Sequence, residues 1–223
     1  MAPTLVLDLD GTLVDSVPDL ATALNRLMRA RDLPAFDRAA VAAMVGDGAR
    51  VLLERAFAAR GGALDEPALA AFLADYGANA AVETMAYPGV LATLDWFVGQ
   101  GWRMAVCTNK PISPARTLLA ALGLDHYFAA VGGGDSFPVR KPDPAHLLAT
   151  IAAAGGDPAC AVMVGDHHND ILAARGAGMP CIFAAWGYGP PDTAAHAAAT
   201  ALAFSEIVRL APGLATGWRR ALA

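Results

Sequence analysis

Short apolar runs alternating with helical stretches constrain this chain more than any other feature of its sequence. The runs lie at 5–9, 102–108, 129–132, 161–164 and 180–184. Each is apolar at consecutive positions, as expected of a strand buried on both faces of a parallel sheet. Helical spacing occupies 90–99, 114–122, 144–154 and 169–177, and Gly99, Gly123, Gly155 and Gly178 stand at or just past the ends as C-terminal signals. Strands alternating with helices predict an α/β fold: a Rossmann-like, three-layer parallel sheet.

One gap breaks the alternation. From 16 to 86 the sequence offers no strand, only helical spacing at 19–30, 38–44, 49–60 and 67–77. This is longer than a single crossover needs, so it reads as an inserted helical domain, with Tyr87-Pro88-Gly89 marking the return. The expected division is an α/β core of 1–15 and 87–223 and a helical insertion of 16–86. The alanine-rich stretch 194–203 reads as ordinary helix.

Composition excludes several classes. With 56% hydrophobic and 17% charged residues the chain is too apolar to be intrinsically disordered. No window of about 18 apolar residues lacks a charge, Pro or Gly, so no transmembrane helix is expected. Thr4-Leu5-Val6-Leu7-Asp8 leads directly into the first strand with no basic region or cleavage site, which predicts no signal peptide. Cys107, Cys160 and Cys181 are odd in number and form no CxxC, which fits a reduced cytoplasm. A net charge of −5 argues against a nucleic-acid partner.

Polar residues gather where the strands should end. Asp8-Leu9-Asp10-Gly11-Thr12 closes the first strand. Residues two apart in an extended chain face the same way, so Asp8 and Asp10 can converge at the carboxyl edge, where open α/β sheets bind ligands. Two close carboxylates call for a cation or a shared proton, and oxygen ligands suit Mg²⁺. A second strand ends in Cys107-Thr108-Asn109-Lys110. Lys141 precedes a helix in Arg140-Lys141-Pro142-Asp143-Pro144, and Val164-Gly165-Asp166-His167-His168-Asn169-Asp170 adds two carboxylates. Taken singly, a strand-end Asp can cap a turn and Lys-Pro is a routine loop. Their order makes coincidence a poor explanation.

This order resembles the haloacid dehalogenase superfamily of phosphohydrolases. The first motif is Asp8-Leu9-Asp10-Gly11-Thr12-Leu13-Val14-Asp15-Ser16, and the helical insertion resembles that family's small cap domain. Within the superfamily the chain is most similar to bacterial phosphoglycolate phosphatases. Val45-Gly46-Asp47-Gly48-Ala49-Arg50-Val51-Leu52, Gly133-Gly134-Asp135, Asn169-Asp170-Ile171 and Trp186-Gly187-Tyr188-Gly189 carry that narrower likeness. The resemblance implies Asp8 as nucleophile, forming an aspartyl-phosphate, and Asp10 as acid and then base. It implies Mg²⁺ held by Asp8, the Asp10 carbonyl and Asp166. Thr108 and the Asn109 backbone would bind phosphate, Lys141 would compensate charge, and Asp170 would support Lys141 or the metal's water shell. The expected substrate is a small phosphorylated metabolite, 2-phosphoglycolate above others.

Related proteins carry Ser or Thr where His167 follows Asp166 here. His167 or His168 is expected at the rim of the site. His126, His146 and His196 read as solvated or capping residues, and Cys107 as a small core residue. For the substrate's carboxylate, Arg50 is the sequence's candidate anchor. Two alternatives remain: a sugar phosphomutase of the β-phosphoglucomutase type, and a phosphoacceptor signalling module. The second Asp, Asp10, disfavours a haloacid dehalogenase proper. Receiver modules lack both that Asp and the helical insertion.

Overall fold

The computed structural model describes residues 2–215. In chain order its principal elements are β1 (Thr4–Leu7), β2 (Val14–Asp15), α1 (Val17–Ala30), α2 (Arg38–Ala42), α3 (Ala49–Ala58), α4 (Glu66–Asn79) and β3 (Met85–Ala86). There follow α5 (Val90–Gly99), β4 (Arg103–Cys107), α6 (Ile112–Ala121), β5 (Ala130–Gly132), α7 (Pro144–Ala153), β6 (Ala161–Gly165), α8 (His168–Gly176), β7 (Cys181–Ala184), β8 (Ala199–Ala201) and α9 (Ile207–Leu214). Six strands form one parallel sheet in the order β5-β4-β1-β6-β7-β8.

The strand period distributes the core. Leu5 and Leu7 join Met104, Val106, Val162, Val164 and Ile182 in the apolar cluster on one face, where Leu94, Phe97 and Phe204 pack. Val6, between them, joins Cys107, Met163, Phe183, Leu147 and Ile151 on the other. Successive side chains of a strand point to opposite faces, so runs of consecutive apolar residues serve both layers.

α1–α4 share a further core of their own, built from residues such as Leu24, Met28, Leu53, Phe57 and Phe72. The chain enters and leaves this helical unit side by side, because β2 pairs antiparallel with β3, Val14 against Ala86 and Asp15 against Met85. Asp19, buried in the first turn of α1, fastens the crossing. Its carboxylate accepts hydrogen bonds from the backbone N–H of Val82, Glu83 and Thr84 and from the Thr84 hydroxyl, at 2.7–3.0 Å.

Two expectations need correction. The stretch 194–203 is not a helix: a 3-10 segment, Pro191–His196, gives way to β8. The Ala198 N–H donates to the Cys181 carbonyl and that of Ala185 to Ala201, so pairing at the sheet edge overrides alanine's helical preference. The segment 16–86 also holds β3, which at two residues is too short to leave a periodic signal. No helix among the described residues is long and apolar enough to cross a membrane.

Candidate active site

β1 stops at the sheet's carboxyl edge, and the Asp8 N–H still donates to the Val164 carbonyl before the chain turns away. The turn is tight: the N–H groups of Thr12, Leu13 and Val14 all point to the Leu9 carbonyl, and Gly11 has φ +84°. A side chain on Gly11 would be strained there and would also collide with the Asp166 carboxylate.

Around this turn three buried carboxylates face one ammonium. Lys141 Nζ lies 2.8 Å from Asp8 Oδ1 and 2.6 Å from Asp170 Oδ1. Asp166 accepts from the Thr12 hydroxyl at 2.8 Å and from the Tyr188 N–H at 2.8 Å. Burial lifts Asp166 to about 7, Asp8 and Asp170 adding to the rise. It lifts Asp8 to about 6, with Lys141 opposing and Asp170 adding. Burial alone would lower Lys141, but Asp170 and Asp8 outweigh it and hold the ammonium above its usual range.

Asp8, Asp166 and Asp170 bring carboxylate oxygens within 4.8 Å of one another. Asp8 Oδ1 is buried, with the Lys141 ammonium as its close charged partner. When all three are ionised, three carboxylates against one ammonium leave a local excess of two negative charges. An all-oxygen cluster of three buried carboxylates, in surplus over its one ammonium, fits a hard divalent cation.

β4 delivers the next group. Thr108 Oγ1 accepts from the Lys110 N–H at 3.1 Å, leaving the hydroxyl hydrogen free to donate into the cleft. The Asn109 side chain ties three segments together, donating to the carbonyls of Gly46 and Lys141 at 3.0 Å each. Asp8, Asp10, Thr108, Asn109 and Lys110 line a cleft whose far wall is helical: Leu20, Leu52, Phe72, Leu73 and Tyr76.

Residues 2–178 match the haloacid dehalogenase-like hydrolase family. The chain belongs to that family. It is 44% identical to the phosphoglycolate phosphatase of Mesorhizobium japonicum over 190 residues, 83% of this chain and 84% of that one. Against the phosphoglycolate phosphatase of Caulobacter vibrioides it is 46% identical over 189 residues, covering 83% and 80%. The crystal structure of a predicted phosphoglycolate phosphatase from Haemophilus somnus superposes with a TM-score of 0.86 at 33% identity, covering 94% of this chain and 97% of that one.

In this haloacid dehalogenase-like hydrolase, Asp8, Thr108, Asn109, Lys141, Asp166 and Asp170 are brought together. The Asp10 side chain is turned elsewhere, toward Lys110, whose Nζ approaches its oxygens at 2.9 and 3.2 Å. Arg50 is not among the residues lining the cleft. It is exposed on the helical unit and paired with Glu66 at 2.8 and 3.0 Å.

His146 departs furthest from expectation. It is wholly buried rather than solvated. The Lys141 N–H donates to its Nδ1 at 3.2 Å, so Nε2 carries the proton and donates to the Gly133 carbonyl at 3.0 Å. His167 caps α8, its Nδ1 accepting from the Asn169 N–H at 3.4 Å while its own N–H donates to Asp170 at 3.0 Å. The His167 ring fills the space where Gly46, at φ +122°, would carry a Cβ. His168 is exposed beside it. Sequence reasoning missed Lys110, Thr12 and Tyr76. Lys110 and Thr12 stood inside quoted motifs. Tyr76 lay in a helical pattern that marked it only as core.

Proposed function

We propose that this chain is a Mg²⁺-dependent phosphatase of small phosphate monoesters, with 2-phosphoglycolate as substrate and residues 16–86 acting as a cap over a core of 1–15 and 87–223. The observation that carries the reading is the meeting of Asp8, Asp166, Asp170 and Lys141 beside Thr108 and Asn109 at one sheet edge. The relatives named as phosphoglycolate phosphatases support the choice of substrate.

A carboxylate oxygen of Asp8 attacks phosphorus, the ester P–O bond breaks, and an aspartyl-phosphate forms. Asp10 gives a proton to the departing alkoxide, then takes one from the water that attacks the acyl phosphate. The Thr108 hydroxyl and the Asn109 N–H donate to the phosphoryl oxygens, and Lys141 offsets negative charge beside the nucleophile. Asp170 holds Lys141 in place. Asp8, Asp166 and the Asp10 carbonyl would hold Mg²⁺, which when bound shields the anionic nucleophile from the anionic phosphate.

A panel of phosphate monoesters read by phosphate release tests this reading. Multiple turnover with 2-phosphoglycolate foremost is expected. Turnover that needs a sugar bisphosphate activator would point to the mutase, and a single stoichiometric phosphorylation to a signalling module.

A further inference from the structure

We propose that Lys110, held by Tyr76 of the cap, is the group that reads the substrate's carboxylate. The inference rests on the phosphatase reading of the same cleft. A phosphate ester that also bears a carboxylate is anionic at both ends. The phosphoryl end is served by Thr108, Asn109 and Lys141, so the other end needs its own cation within reach of the same cleft.

Among the described residues lining that cleft, Lys110 is the one with a positive side chain. It is 6% exposed, and its ammonium touches both Asp10 oxygens and lies 2.6 Å from the Tyr76 hydroxyl. The ammonium also sits 4.5 Å from the centre of the Tyr76 ring, which stacks in turn on Phe72.

Three features suit this group to a carboxylate. The ammonium already accommodates one, since two Asp10 oxygens stand at 2.9 and 3.2 Å. A substrate carboxylate can take that place by exchange, so the buried cation is never left unpaired, which would be the costly state. The exchange also frees the Asp10 side chain to turn toward the ester oxygen it must protonate.

The second feature is the Tyr76 hydroxyl. It accepts from Lys110 and keeps its own hydrogen, and burial first, with Asp10 contributing, pushes it up to about 12, so it stays a donor. Ammonium and phenol thus meet from core and helical unit, and a carboxylate that accepts from both would bridge the two. The third feature is the apolar wall of Leu20, Leu52 and Phe72, which excludes water and strengthens a charge-assisted pair. Arg50, by contrast, is engaged with Glu66 in solvent.

The test compares kcat/KM for 2-phosphoglycolate and for ethyl phosphate, which replaces the carboxylate by a methyl group. Lys110→Met is expected to lower kcat/KM for 2-phosphoglycolate by roughly 30- to 300-fold, as loss of a buried charged hydrogen bond does. The loss on ethyl phosphate should be at least tenfold smaller. Tyr76→Phe should shift the same ratio in the same direction by about threefold. If Lys110→Met does not fold, as judged by thermal melting, Lys110→Gln carries the test, because its amide still donates to Asp10 and Tyr76 without the charge. Equal losses on both esters would make Lys110 a positioning residue for Asp10 and overturn the inference. A carboxylate preference that survives in these variants overturns it alone. A wild-type enzyme indifferent to the carboxylate overturns both this inference and 2-phosphoglycolate as substrate, while leaving the phosphatase reading intact.

Discussion

His146 lies beneath the loop that carries Lys141, and its bonds to the Lys141 N–H and the Gly133 carbonyl admit only the neutral ring. Burial first, and then the positive charge of Lys141, pulls its pKa from the usual 6.5 down to about 4. The unfolded chain therefore binds a proton that the folded one refuses. This stability is complete above about pH 6.5 and is lost as pH falls toward 4, reaching roughly 3 kcal/mol. Urea unfolding of wild type and His146→Gln from pH 7.5 to 4.5 should show the wild type losing more stability on acidification. Parallel losses would remove His146 as the source. If Asp8 is the nucleophile as proposed, Asp8→Asn should abolish turnover and the acid-stable phosphoryl label, whereas Asp10→Asn should keep a slowly formed label. A label retained on Asp8→Asn would reassign the nucleophile. Arg50→Ala should leave both esters nearly unaffected. The placement of these residues was legible in the sequence where backbone order determines it: Asp8, Thr108, Lys141 and Asp166 each follow a strand or precede a helix. Lys110 and Tyr76 were not, because their meeting across 34 positions depends on how the helical unit packs.

At the scale of elements, the buried strands were legible to within one or two residues, since their apolar character is continuous and both faces need it. The failures are short or weakly patterned. β8 is three residues of Ala-Thr-Ala at the sheet edge, and β3 is two, so neither holds even two repeats of the two-residue strand period. Asp19 shows what such short pieces need. Alone in the sequence it reads as an ordinary acidic residue in a first helical turn, yet it satisfies the backbone donors of the returning chain. Asp19→Ala would leave those groups without their acceptor, three backbone N–H and one hydroxyl. We expect it to cost roughly 2–4 kcal/mol, measured as a lower urea midpoint. A midpoint unchanged from wild type would mean that water or a neighbouring carbonyl replaces the carboxylate.

For the molecule as a whole, activity should depend on a divalent cation. Exhaustive EDTA should abolish turnover and Mg²⁺ restore it. Ca²⁺ should inhibit, because its looser coordination relaxes the alignment of nucleophile, phosphorus and leaving oxygen. Full activity in chelator would remove the metal from the reading. The mutual repulsion of Asp8, Asp166 and Asp170 also predicts that Mg²⁺ raises the melting temperature, a measurement independent of turnover.

The β2–β3 ribbon carries a further consequence. Because the chain departs at Asp15 and comes back at Met85 on the adjacent strand, the ends of the excursion are already joined by backbone pairing. The sheet would need only a tight turn to close over the deletion, and loop closure of that length adds little entropy. The helical portion is thus an exchangeable cassette, open to replacement by another of similar span without disturbing the ladder beneath. What such a transplant would not carry is Lys110, which is rooted at the end of β4. A chimaera would inherit the donor's walls and keep this chain's own cation, so part of its taste in substrates would travel with the scaffold.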